Sequence, residues 1–397
     1  MISSNKSDFT INFGLKPVSN RFLSNTNEKA PRFPLGISIN RDTGLVSMDQ
    51  PFPVEEIKPR FDWITCFEPE DHLNDLVERL INLPGIDNNS SIGAYSFKDD
   101  STIERLNNKG YHNTWRIDPE HDLCVDKFSN IETYQQEFTI KKSIEIKKKY
   151  GPADILLVRH VVEHAYNIYK FIDAIRLLIK PNGYIVWELP SCEKALKSGD
   201  CTMIWEEHIY YFTEFTFRQF LINQKFYIDS LSTITYPMED CIVAITQELV
   251  NKKTDTAPNK EGIYVEIERA KKYIEIIQKN MIVIPNQLSN IRKKSGKIAI
   301  FGGGHATVAF ISILGIENLI DFIIDDNPNK ISKKLPAGNI PIIDSSALYK
   351  QDIKICLLGT NPQSHLKIID KHKDYVNIGG VFASIFPGTE IYFGDVL

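Results

Sequence analysis

The segment WEEHIYYF, Trp205 to Phe212, crowds two carboxylates, an imidazole and several aromatic rings into one short stretch just after a strand end. A histidine titrates near neutral pH, an adjacent glutamate can fix its tautomer and raise its basicity, and rings exclude water, so the composition suits general-base chemistry. A solvated loop with incidental charge is the alternative. A second constellation is GGGH, Gly302 to His305, which follows the apolar run KIAIF and opens a helical pattern. Bare amides there could cradle a phosphate at a helix N-terminus, and Asp325, about 20 residues on at the end of FIIDD, stands where an acid would meet a ribose hydroxyl. Close strand-to-helix packing explains the glycines equally well.

Two further segments are ambiguous. HVVEH, His160 to His164, spells an inverted zinc-peptidase motif. That chemistry needs both histidines inside a helix, whereas His160 falls where a buried strand ends, so the reading is of a ligand-facing His160 or of first-turn polar residues at Glu163 and His164. After SSIG the expected tight glycine turn is replaced by AYSFKDDST, leaving only Gly93. A cofactor there would need side chains such as Tyr95, Lys98 or Asp99, with Asp118 at the end of TWRID accepting from ribose hydroxyls; the alternative is a degenerate, empty pocket.

These residues must be carried by alternating strands and helices. PEDHLNDLVERLINL places Leu73, Leu76, Leu80 and Leu83 on one helical face. ADILLVRH is apolar until its polar end, as in a strand covered on both faces, which puts Arg159 and His160 at a carboxyl end. GYIVWELP, YIDSLSTITYP and CIVAITQEL extend that unit; KIAIF, FIIDD, ICLLGT and GGVFAS form a second one. The fold class is therefore α/β, a Rossmann-like domain over residues 66–250 and a second over 251–397, preceded by a small β-rich lobe over 1–65. NKKTDTAPNKEG, Asn251 to Gly262, reads as a linker, followed by two charged helical runs.

Composition excludes several classes. At 397 residues the chain is long enough for two or three domains of roughly 150 residues each. A formal net charge of −5 leaves no basic field for nucleic acid. The N-terminus lacks a signal pattern and no apolar run reaches spanning length, so no membrane partner is expected. Six scattered cysteines without a CxxC pair fit a reducing cytoplasm.

ADILLVRHVVEHAYNIYKFIDAIRLLIKPNGYIVWELP, followed by WEEHIYYFTEFTF, resembles class I S-adenosylmethionine-dependent sugar C-methyltransferases, and KIAIFGGGHATVAF through DDNPNK and PAGNIPI is similar to that family's C-terminal Rossmann-like domain. The resemblance implies S-adenosyl-L-methionine as cofactor and a small nucleotide-activated sugar as substrate. It implies a catalytic pair in which His208 removes a proton and Glu207 orients it. The donor would lie against Gly93, Tyr95, Asp118, Arg159 and His160, and the acceptor against Trp205, Tyr211, Gly302, Gly304, His305 and Asp325. Three departures qualify it. The family's acidic, glycine-rich cofactor turn has become SIGAYSFKDDS. The family's zinc cysteines are absent from FGLKPVSNRFL and PLGISINRDTGLV, so no metal is expected; and Trp205 replaces a tyrosine, which opens the reaction to an oxygen acceptor because an indole cannot share a proton as a phenol can. Rival readings are a non-catalytic sugar-nucleotide-binding relative with a degenerate donor site, and a dehydrogenase or epimerase holding a dinucleotide at Gly302–Gly304. The sequence leaves the oligomeric state open.

Overall fold

A computed structural model describes residues 9–24, 28–61, 68–125, 134–249 and 259–397. The expected domain boundaries, near 65 and 250, lie outside these described residues, as does most of the expected linker. Strands are organised into three sheets. The first is antiparallel, β1 (Thr10–Pro17), β2 (Arg32–Ile39) and β3 (Val46–Met48), with a fourth strand, β8 (Tyr210–Tyr211), contributed from far along the chain. The N-terminal sheet is thus completed by the WEEHIYYF segment itself, which local patterning did not indicate.

The second sheet has the order β5 (Thr114–Arg116), β4 (Ile92–Ala94), β6 (Ala153–Arg159), β7 (Ile179–Ser191), β10 (Asp240–Glu248), β9 (Phe226–Ile234). Its first four members are parallel and β10 runs against both neighbours. Successive side chains of β6 leave on opposite faces: Ile155 and Leu157 meet Leu73, Leu76 and Leu80 of the helix Leu73–Ile81, while Leu156 and Val158 meet Phe171, Ile172 and Ile175 of the helix Ile168–Arg176. Cover on both sides is why ADILLVR is apolar at both phases.

The third sheet is wholly parallel, β13 (Ile342–Ile343), β12 (Phe322–Ile324), β11 (Lys297–Phe301), β14 (Ile353–Leu358), β15 (Val381–Ser384). The two charged helical runs are one helix, Lys260–Ser295, with Pro285 inside it. An interior proline costs about 3 kcal/mol. Tyr273, Ile277, Ile284 and Leu288 are all buried on one stripe spanning the proline, and each contributes about 1.5–3 kcal/mol, so burial outweighs the lost hydrogen bond.

Candidate active site

In the second and third sheets the strand order reverses around a central parallel pair, β4/β6 in one and β11/β14 in the other, and ligands of open α/β sheets bind at the carboxyl ends of such pairs. The two reversal points open on one cavity of about 550 Å³. Lys98, His160, Glu163 and His164 line it from the second sheet, Gly302–His305 and Thr360 from the third, and Trp205 and His208 from the segment between.

Behind the lining residue His160 lies a buried charge network. Arg159 ends β6, and Glu188, three residues before the end of the neighbouring parallel strand β7, is its register partner. Arg159 donates to Glu188 through Nε at 2.6 Å and Nη2 at 2.8 Å, and His160 Nε2 lies 3.0 Å from the same carboxylate. Burial would push Glu188 up, but Arg159 and the His160 and His72 hydrogen bonds hold it well below the usual carboxylate range. His160 itself is left-handed, φ 50°, a conformation that costs a non-glycine residue energy and that recurs at functional sites. In the sequence Glu188 reads only as one of several acids, with Glu193 and Asp200, that dilute the WEEHIYYF signal; the available cue was that two apolar runs destined to be neighbours, ADILLV and GYIVW, are each followed by a charge of opposite sign.

The Trp205–Ile209 segment is clamped from two sides. Glu206 accepts from the backbone N and hydroxyl of Ser19, each at 2.6 Å, and the Trp205 indole donates to Ser19 Oγ at 3.0 Å. On the other side the Trp205 ring stacks on His305, with centroids 4.3 Å apart and planes 20° apart. Glu207 is buried, with Asn20 Nδ2 3.5 Å from its carboxylate, and its backbone carbonyl accepts from His164 Nδ1 at 2.7 Å. The His208 ring lies 4.7 Å from that of His164 and 5.0 Å from Trp205. Burial lowers three of the cavity histidines, His164 to about 3, His305 to about 4 and His208 well below the ordinary value with His164 and His305 adding to it. They are neutral at physiological pH. Glu163, passed over as a first-turn residue, is buried, and burial raises it well above the ordinary range.

Of the expected substrate residues, Trp205, Gly302, Gly304, His305 and Asp325 line the cavity. Tyr211 does not: it is buried in β8 opposite Val46. Asp325 accepts from Gly303 N and Lys330 Nζ, both at 2.9 Å, so it stiffens the glycine turn. Of the expected donor residues only His160 lines the cavity. Gly93 packs under Trp115, where a Cβ would sit 2.5 Å from the indole. Tyr95 is fully buried against Phe138 and Phe171, and the amides of Tyr95 and Ser96 donate to Asp99, whose own carboxyl burial raises to about 7. Asp118 caps the following helical turn by accepting from Glu120 N and His121 N. The AYSFKDD turn therefore offers a donor little, since its Asp99 carboxylate is taken by the turn's own amides and by Arg159 N, and its Lys98 and Asp100 pair with Glu68 and Arg116. A donor does fit the cavity, where Glu68, pushed up by burial but drawn down to about 2 by His160 and Lys98, presents an ionised carboxylate suited to a sulfonium cation.

Residues 264–387 match the family described as C-methyltransferase C-terminal domain. The whole chain is 20% identical over 407 residues to the C-methyltransferase NovU of Streptomyces niveus, covering 96% of this chain and 93% of that one. The match to the C-methyltransferase C-terminal domain thus covers about a third of the chain, and the likeness to a C-methyltransferase extends over nearly all of it. Solved structures similar to this chain include the 1,6-didemethyltoxoflavin-N1-methyltransferase of Burkholderia thailandensis, at 9% identity and a TM-score of 0.30 over 45% of this chain and 77% of that one. The phosphoethanolamine N-methyltransferase 2 of Haemonchus contortus matches at 13% identity and a TM-score of 0.29 over 79% and 73% of the two chains.

Proposed function

We propose that this chain methylates a nucleotide-activated sugar, at carbon or oxygen, in the cavity between the second and third sheets. S-adenosylmethionine supplies an electrophilic methyl group when bound. Glu68 and His160 would hold it at the carboxyl end of β6, and Gly302–Gly304, with the unpartnered buried hydroxyl of Thr360, would take the nucleotide part of the acceptor. His208 would accept the acceptor's proton, and Glu207, which fixes His164 through its backbone carbonyl, would set the position of the ring wall behind it. Methyl transfer needs alignment more than acid or base strength, so the clamping of Trp205–Ile209 between Ser19 and His305 is central to rate.

The observation that carries this reading is the neutral His208 on the wall shared by both sheet reversal points. It is tested by transfer of labelled methyl groups to candidate nucleotide sugars: His208→Ala should abolish turnover and leave donor affinity nearly unchanged, and full turnover in that variant would remove His208 as the base. A second reading, a non-catalytic sugar-nucleotide binder, is favoured by the AYSFKDD turn, whose Asp99 carboxylate is already taken by the amides of Tyr95 and Ser96. Calorimetry with S-adenosylmethionine and S-adenosylhomocysteine, dinucleotides serving as controls, separates the two: micromolar binding supports the enzyme, and no binding at millimolar ligand supports the binder.

A further inference from the structure

Glu163, His164 and His208 converge at the base of the cavity, each offering one ligand atom, with all three atoms within 4.8 Å of one another. Glu163 is 1% exposed and both its carboxyl oxygens lack a hydrogen-bond partner, a costly state for a buried carboxyl group unless something binds it. His164 is arranged as a metal-binding histidine is. Its Nδ1–H donates to the Glu207 carbonyl at 2.7 Å, which leaves Nε2 as the lone-pair nitrogen, 3.8 Å from Glu163 Oε1. His208 is partly exposed and lines the cavity, and the three ligand atoms would draw together around an ion at the distances of about 2.0–2.2 Å typical of such sites.

We propose that these three residues bind one divalent first-row transition cation of the zinc, cobalt or manganese class. Two imidazoles and one carboxylate suit that class, and the cavity side leaves coordination positions open to a carbonyl or hydroxyl oxygen of an acceptor. The other cluster of this kind among the described residues, His72, Glu188 and Cys241, is already spent: Glu188 accepts twice from the Arg159 cation, and His72 Nδ1 is held by Tyr236 at 2.7 Å. The ion and a proton compete for one lone pair of His208, so the base role proposed above belongs to the ion-free protein. In the loaded protein His208 is a ligand.

The test is metal binding to the full chain after chelator treatment, read by cobalt absorption in the visible and by elemental analysis with zinc. One ion per chain is expected. Glu163→Gln, nearly isosteric, and His208→Ala should each weaken binding by roughly a hundredfold or more, above the 10–100-fold common for loss of an outer partner, while circular dichroism stays native. Cys241→Ser should bind as the parent does. No binding at millimolar cobalt, retention of the ion in both site variants, or its loss only in Cys241→Ser would overturn the proposal. Because the readout uses neither methyl donor nor acceptor, it stands or fails separately from methyl transfer.

Discussion

Replacing Arg159 with Met decides whether this residue holds a cofactor or holds the charge network behind His160. Arg159 is 1% exposed and Glu188 is fully buried, and the two share bonds of 2.6 and 2.8 Å. Methionine keeps much of the side-chain volume but strands the carboxylate, and removing one member of a buried pair costs about 3–5 kcal/mol. At about 2–4 °C per kcal/mol for a domain of this size, the melting temperature should fall by roughly 6–20 °C. The pH dependence carries the sign. In the parent, Glu188 has a depressed value, so its contribution is present above the unfolded value of about 4.3 and is lost only as pH falls through the lower folded value. Without Arg159, burial dominates and raises Glu188, so the variant regains stability as pH falls. Guanidinium unfolding at pH 8 and pH 5 should therefore show a gap that narrows in acid. A loss below about 1 kcal/mol, or unchanged stability with weakened donor binding, would refute the structural role and return Arg159 to the cofactor.

Three other outcomes follow from the site. Because His164, His305 and His208 all have lowered values, the base stays deprotonated well below neutrality, and turnover should be nearly flat from pH 8 to about 5; an acid limb centred near 6.5 would point to a solvated imidazole instead. Trp205→Ala removes the stack on His305 and the bond to Ser19. Such a stack is worth about 0.5–1.5 kcal/mol, so KM for the acceptor should rise up to about tenfold, with partial recovery in Trp205→Phe, and an unchanged KM would exclude an acceptor-side role. Gly302→Ala meets a φ of +99° and places a Cβ 2.6 Å from Thr360; the left-handed backbone alone costs about 1–2 kcal/mol, so calorimetry should show lower stability and weaker nucleotide binding, and parent-like values for both would mean the turn has room that the structure denies it.

Much of the architecture was legible because it depends on local periodicity. The face of Leu73, Leu76 and Leu80 and the doubly apolar ADILLVR report directly on what covers each element, and the KIAIF–GGGH–FIIDD succession reports a parallel crossover. The single helix Lys260–Ser295 was not legible, since a proline divides its local pattern and only the buried stripe, seen against its neighbours, joins the halves.

The sequence by itself determined the α/β class, the carboxyl-end placement of His160 and Gly302–Gly304, and the chemistry-bearing composition of Trp205–Phe212, because residue type and spacing along one chain suffice for each. Only tertiary structure decided which of those groups face one cavity. Arg159 and Asp118 stand at the ends of their strand segments as expected, yet one is consumed by Glu188 and the other by a helix cap. Glu163, unremarkable in sequence, is left buried without a hydrogen-bond partner, with His164 Nε2 and His160 Nδ1 each 3.8 Å from its carboxylate. Periodicity says which way a side chain points from its own element. Whether its charge is matched depends on a group brought up from a distant part of the chain, and that pairing is set by packing.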